Sequence, residues 1–346
     1  MNRRLKLLLT ITALMMMLLI TGCRSQKEFS VSTFNTNEKQ MTKDVLDPFG
    51  KANDLNVKGQ FAGDSSRIKK SGSSDVIELS QNDAVTLNNA GKLRKLDFKR
   101  LKNFSHLSSE QQKLAKKTNS LPYSIDTLVL LYDPKKVNGM DFTSQLWDKG
   151  WVNNPAIPDI STTFGPAMVQ IASIYSQYRS TSSFVGTGIG LHGKYAFEAL
   201  KDLGPGTKTY KTIPELNQMF KKGQVDVAVV NGSAVSKILV DNPNLKYVNP
   251  NAFDRVANYK MVSILKDSKN VDESYKYLDY RISKNVQEKV AAKDSLNEAP
   301  VNQQADVKNN RYLTDKGTSR NAVTVDFEQV NQDLPQWKRE WHDIFE

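Results

Sequence analysis

The sequence predicts a layered α/β protein. Three features carry this: short runs that alternate apolar and polar residues, helical stretches between them, and one continuous apolar run fenced by a turn signal. Phe29 to Phe34 and Leu55 to Phe61 alternate, and Asp75 to Leu79 is a third short strand. Gln40 to Ala52 and Asn82 to Asn89 read as helices, the second ended by Gly91. Asp126 to Tyr132 is apolar almost throughout and meets Asp133-Pro134, so it reads as a strand buried on both faces of a parallel sheet. From Gly165 to Gln177 the apolar residues fall at helical spacing. Thr212-Ile-Pro-Glu215 is a capping box with proline in the first turn, and Gly223 closes that helix. Val225 to Val230 is a strand, Ser233 to Val240 a helix, Lys260 to Leu265 a strand and Val271 to Ile282 a helix. Asn302 to Thr318 is polar and turn-rich. Trp337 and Trp341 then share one helical face, where packing is the first expectation and a binding platform the second.

The 346 residues fit two domains, at roughly 100–200 residues each. A hydrophobic content of 39% and a charged content of 25% exclude a disordered chain and a multi-span membrane protein. The net charge is +11, with the basic residues dispersed apart from short clusters at Arg67 to Lys70 and Lys92 to Lys102. Such clusters solvate surfaces more often than they hold nucleic acid, so no nucleic-acid partner is expected. One cysteine, Cys23, excludes an internal disulfide and a thiolate zinc site. His106, His192 and His342 are far apart and lack a metal-ligand neighbour, so no metal is expected.

The first 22 residues read as an address. A basic start, Arg3-Arg4-Leu5-Lys6, precedes an apolar core from Leu7 to Ile20 that is too short for the ~20 residues of a membrane span. Ile20-Thr21-Gly22-Cys23 then resembles the bacterial lipobox, in which cleavage precedes an acylated cysteine. Residues 1–22 are thus expected to be a lipoprotein signal peptide, Cys23 the lipidation site and residues 23–28 a tether. The mature chain is expected on the extracytoplasmic face of the cell membrane, where ATP and NAD are absent and no cofactor is expected. Gly188-Ile-Gly190-Leu-His-Gly193 matches a dinucleotide fingerprint in letters but follows no strand, and it reads as a surface loop.

Several stretches together resemble the solute-binding proteins of ABC importers, in their spermidine/putrescine-binding branch. These are Ser74-Asp75-Val-Ile-Glu-Leu-Ser80, Leu121-Pro122-Tyr123 with the strand after it, Leu146-Trp147-Asp148, Val230-Asn231-Gly232-Ser233-Ala234, Tyr247-Val-Asn-Pro250 and Glu298-Ala-Pro300-Val-Asn302. The resemblance implies an α/β, two-lobed, type II periplasmic-binding-protein-like clamp with two hinge crossings, near Tyr123 and Tyr247. Residues 29–122 would begin lobe 1, 123–249 form lobe 2, and 250–346 return to lobe 1 and end in C-terminal helices. It implies a monomeric receptor that passes a small solute to ABC permease subunits, with no catalytic residue and no enzyme activity.

By the same resemblance, Phe34 and Asn37 stand where an aromatic pair is usual, Ser80 matches a serine and Asn82 replaces a tyrosine. Asp159 matches one acid, whereas Thr162 replaces a second and Lys260 stands near a third. Two solutes remain open. A polyamine would use Asp126, Asp159 and Glu298. A small anion, such as a carboxylate or phosphonate, would use Thr33, Asn35, Ser80, Thr162, Thr163, Asn231 and Lys260. An exported lipoprotein enzyme and a wall-polymer-binding module are the alternatives of another class.

Overall fold

The computed structural model describes residues 26–35, 37–61, 74–181, 188–204, 206–250, 256–292, 294–307 and 323–346. The signal peptide, Cys23 and the basic cluster at Arg67 to Lys70 lie outside the described residues.

The strands are β1 (Lys27–Thr33), β2 (Leu55–Phe61), β3 (Val76–Ser80), β4 (Leu121–Tyr132), β5 (Pro155–Pro158), β6 (Lys208–Tyr210), β7 (Val227–Asn231), β8 (Lys246–Val248), β9 (Val256–Ile264) and β10 (Val323–Thr324). They form one sheet in the order β2-β1-β3-β9-β4-β7-β5-β6, with β8 on β4 and β10 on β9. The expected parallel pairing holds for β1 with β2 and β3, and for β5 with β6 and β7. The sheet is nevertheless mixed, because β9 runs antiparallel to β3 and β4, and β4 antiparallel to β7 and β8, while β10 joins β9 in parallel. These two are also longer than the expected strands.

β4 explains how one sheet serves two lobes. Its residues from Leu121 to Thr127 pair with β9, and from Leu128 to Tyr132 with β7 and β8. The change of partner falls between Thr127 and Leu128. β8 pairs with the later part of β4 and β9 with the earlier part.

The helices are α1 (Glu38–Met41, a π-helical turn Thr42–Leu46, and Asp47–Asn53), α2 (Gln81–Asn89), α3 (Ser109–Thr118), α4 (Gly165–Thr181), α5 (Lys194–Leu203), α6 (Ile213–Lys221), α7 (Val235–Asp241), α8 (Val271–Arg281), α9 (Lys284–Val290) and α10 (Phe327–Phe345). The π turn in α1 lies just ahead of Pro48, which has no N–H to continue the ladder. The capping box expected at Thr212 is formed, with the Thr212 side chain accepting from the Glu215 backbone and Glu215 reaching back.

One core holds lobe 1, built from β1, β3, β9, the start of β4 and helices α1, α8 and α9, with Phe29, Phe49 and Tyr277 in mutual ring contact. Two cores flank the lobe 2 strands, one under α4, α5 and α10, the other under α6 and α7. α10 settles the role of its tryptophans. Trp337 and Trp341 are 0% and 1% exposed, so they pack and are not a binding platform. Trp337 Nε1 donates to the His192 carbonyl at 2.7 Å. Gly193 lies against that indole with φ of +90°, and a Cβ there would stand 2.9 Å from Trp337 Nε1. Gly193 is therefore required for packing, while Gly188 and Gly190 are exposed, as a surface loop would have them. The N-terminal half of α10 reaches lobe 1, where Glu328 pairs with Lys117 and Asn331 donates to Thr86.

Candidate functional site

The register of β9 builds the site. Lys260 lies opposite Ser80 of β3 and Ser124 of β4, and Asn258 lies opposite Asp126. Opposed residues of an antiparallel pair share a face, and alternate residues along a strand share it too. Asp126, Asn258, Lys260 and Ser80 therefore stand on one face, at the β4 crossing. The ends of β7 and β5 bring Asn231, Ser233 and Asp159 to the same place, where loops at strand C-termini gather ligands in open α/β sheets.

On the lobe 1 side, charge is met by charge. Arg281, wholly buried, donates through Nε to Glu78 Oε1 at 2.8 Å and through Nη2 to Glu298 Oε2 at 3.1 Å. Glu298 Oε1 takes the Lys260 ammonium at 3.3 Å. Glu78 also accepts from Thr33 Oγ1, Tyr277 OH and Tyr123 OH. Tyr123 stacks under Arg281, 4.1 Å from guanidinium to ring centre. Burial alone would raise Glu298, but Lys260 and Arg281 hold its carboxyl below its ordinary value. Burial drives the Tyr123 and Tyr277 hydroxyls well above theirs, reinforced by Glu78.

Around Asp126 and Asp159 the pattern differs. Asp126 accepts from Ser233 N at 3.0 Å, from Asn231 Nδ2 at 3.1 Å and from Ser233 Oγ. Burial raises its carboxyl despite these donors and the more distant charge of Lys260. Asp159 follows β5, and its Oδ1 accepts from Ser161 N at 3.0 Å and from Ser161 Oγ. Its Oδ2 is buried with no hydrogen-bond partner among the described residues. The same holds for Asn258 Oδ1, whose Nδ2 donates to the Thr163 carbonyl at 3.0 Å. Gly165 lets α4 begin against this turn, since a Cβ there would lie 2.1 Å from the Asp159 carbonyl oxygen.

The remaining expected residues divide between site and scaffold. Phe34 is half-buried with Lys260 Nζ over its ring, 5.9 Å from the centre. Ser80 caps α2, exchanging hydrogen bonds with Asp83. Asn82 follows it with a buried, unpartnered Oδ1. Asn35 and Asn37 close the turn before α1, accepting from the backbone of Asn37 and Gln40. Thr162 closes the turn before α4, donating to the Asp159 carbonyl and accepting from Gly165 N. Thr33 is wholly buried beneath the floor, donating to Glu78. Tyr123 also lies in the lobe 1 core, four residues before the partner change of β4, and Tyr247 sits on β8 opposite Leu131.

Glu298, expected to face the solute, has both oxygens taken by cations of the chain. Glu78, Arg281 and Ser233 were not expected as site residues. The available signal was a charge inside an apolar run, as in Val-Ile-Glu78-Leu and Tyr-Arg281-Ile. A separate cavity of about 820 Å³ opens at the far end of β3, around Asp75. Ser30, Ser268 and Asn270 already saturate that carboxylate. Among the described residues no group of three or more His, Cys, Asp or Glu side chains is placed to hold a metal ion, and no helix is long and apolar enough to cross a membrane.

The family model of bacterial extracellular solute-binding proteins matches residues 45–316. No curated protein sequence matches the chain. Among solved structures, the chain is similar to an ABC transporter protein of Clostridium perfringens at 29% identity and a TM-score of 0.81, covering 92% of this chain and 100% of that one. It shares its fold with a GABA receptor at 16% identity, TM-score 0.72, covering 91% and 97%. It also shares its fold with the spermidine/putrescine substrate-binding protein of Streptococcus pneumoniae at 16% identity, TM-score 0.70, covering 91% and 99%. Family and fold are those of ABC-transporter substrate-binding proteins, which are receptors and not enzymes. With most of its length matched, the chain belongs to the bacterial extracellular solute-binding protein family.

Proposed function

We propose that the protein is a lipid-anchored receptor that closes on a small solute carrying a protonated amine and delivers it to ABC permease subunits. The observation that carries the amine is the pair of buried acceptors without donors, Asp159 Oδ2 and Asn258 Oδ1, beside the buried carboxylate of Asp126. A buried acceptor left unmatched costs about 1–3 kcal/mol, more if charged, and an ammonium supplies the missing protons with the missing charge. Charge balance supports the same solute. Glu78, Arg281, Glu298 and Lys260 cancel within one chain of ion pairs, leaving Asp126 and Asp159 without an ion-pair partner among the described residues.

Closure follows from the crossings. Asp159, Asn231 and Ser233 belong to lobe 2, whereas Asp126, Asn258, Lys260 and Phe34 stand on the lobe 1 part of the sheet, at the β4 crossing. A solute touching both binds the closed form better than the open one, and only that difference shifts the equilibrium. The lipid anchor rests on the lipobox-like Ile20-Thr21-Gly22-Cys23. Acylation of Cys23 would hold the receptor at the extracytoplasmic face, at about 0.8 kcal/mol per buried methylene.

The test is thermal shift on the chain from Arg24 onward, against amines and against phosphonates and simple carboxylates. A solute at 100 times its dissociation constant adds about 2.7 kcal/mol of stability. Stabilisation by amine-bearing compounds is expected. Stabilisation by amine-free anions alone would overturn the amine. Cys23→Ser should release the protein from membranes, and retention would overturn the anchor.

A further inference from the structure

We propose that Lys260 is a built-in second cation, so that the solute carries one ammonium and one anionic group rather than two ammoniums. This deepens the amine reading above and rests on it. An ammonium of a solute is held best by a carboxylate on one side and an aromatic face on another. Such a place exists on the lobe 1 side of the cleft, between Glu298 Oε1 and the Phe34 ring, and the Lys260 ammonium occupies it. It lies 3.3 Å from the carboxylate oxygen and 5.9 Å from the ring centre.

The neighbours fix Lys260 there. Arg281 is wholly buried and holds the second Glu298 oxygen, so Glu298 cannot turn to meet a solute. Ser80 and Ser124, opposite Lys260 on both flanking strands, are too short to compete for its charge. The Lys260 side chain is 25% exposed, the most open member of the ion-pair chain, whose other members are 0–1% exposed. An ammonium has three N–H donors. One serves Glu298, and the open side leaves donors for an acceptor that arrives from solvent.

The second cation of a diamine would thus meet Lys260, and like charges in a partly buried site repel. A carboxylate in the same position would complete the lysine's hydrogen bonds. Lys260 and Asn258 are two residues apart on β9, which places the cationic and anionic halves of the site roughly 7 Å apart at the backbone. That separation suits a short aliphatic chain between the solute's two charges.

Matched probes test this. Putrescine, γ-aminobutyrate and butyrate share a four-carbon chain and differ only in the groups at its ends; the corresponding sets with three, five and six carbons extend the series. Titration calorimetry on the chain from Arg24 onward would compare wild type, Lys260→Met and Lys260→Arg. In wild type the amino acid of the best-fitting length should bind about tenfold or more tighter than its diamine. Lys260→Met should reverse that order by freeing Glu298 Oε1 for a second ammonium, while Lys260→Arg should preserve it. The wild-type comparison stands even if Lys260→Met fails to fold. Diamines binding as tightly as amino acids in wild type would overturn the built-in cation and leave the amine reading in place. Binding of butyrate-type acids alone, or of none of the probes, would overturn both.

Discussion

Glu298 and Asp126 are buried carboxylates at one site, and they are shifted in opposite directions. Glu298 meets two cations of the chain and is held below its ordinary value in spite of burial. Asp126 meets a hydroxyl, an amide and a backbone N–H, and burial raises it. On the lobe 1 side the charges cancel within the chain, although Arg281 Nη1 is buried with no hydrogen-bond partner among the described residues. Asp126 and Asp159 are hydrogen-bonded but paired with no cation among the described residues. The difference teaches where to expect the solute's ammonium: at Asp126 and Asp159, which have no cation partner among the described residues, and not at Glu298, which has two.

The largest effect should come from breaking the chain of ion pairs. Arg281→Met would leave Glu78 and Glu298 facing each other without their shared cation. Removing one partner of a buried ion pair costs about 3–5 kcal/mol. Denaturant unfolding should show a loss in that range, and a loss under about 1 kcal/mol would mean the chain of charges is not what holds lobe 1 together. Glu298→Gln should cost less, about 3 kcal/mol, because Lys260 remains partly solvated.

The opposite shifts sharpen into opposite pH dependences. For Glu298 the folded carboxyl lies below 4.5, so its contribution is full above that value and is lost as pH falls through the folded value. For Asp126 the folded carboxyl lies above 3.8, so folding binds an extra proton between the two values. Its ionised form therefore subtracts from stability at neutral pH, and acidification through the raised value removes that penalty. Asp126→Asn should leave the solute-free protein as stable as wild type or more so at pH 7, with the difference shrinking on acidification. Glu298→Gln should be less stable at pH 7, and its deficit should also shrink, but below 4.5. Melting curves across this range check both. A loss of stability in Asp126→Asn would show that the carboxylate is structural. Its solute-induced shift should vanish in any case, and wild-type solute affinity should weaken as pH falls through the raised value.

Part of this contrast was legible in the sequence. Asp159 and Lys260 came from a resemblance to known receptors, and Asp126 stood beside them as an acid for a polyamine; in the fold Asp126 accepts from Asn231 and lies two residues from the position opposite Lys260. Thr212 announced its helix because a capping box is local. The compensation of charge was not legible, because Arg281 and Glu78 are 203 residues apart and nothing local ties them. The hydroxyls and amides of Asn35, Asn37, Ser80 and Thr162 looked like ligand contacts, yet each has a partner within a few residues. Short polar side chains satisfy turns and helix starts as readily as ligands, so their type alone does not separate the two roles. β4 read as shorter than it is because Leu121-Pro122-Tyr123 opens with a turn-like proline. In the fold that proline sits at a register shift in the pairing with β9, where a missing N–H is tolerated.

The smallest effect belongs to Phe34, the only aromatic ring that Lys260 Nζ stands over among the described residues. Phe34→Leu keeps an apolar side chain but removes the ring face. A cation–π contact at such a site contributes about 0.5–1 kcal/mol. Stability should fall by that amount in wild type and by measurably less in Lys260→Met, where no cation remains to lose. The two single variants and the double variant form a cycle that isolates the contact from the packing of Phe34 against the lobe 1 core. A coupling near zero would mean that Glu298 alone positions the Lys260 ammonium. A coupling of the expected size would mean that carboxylate and ring act on it together, as they would on the ammonium of a bound solute.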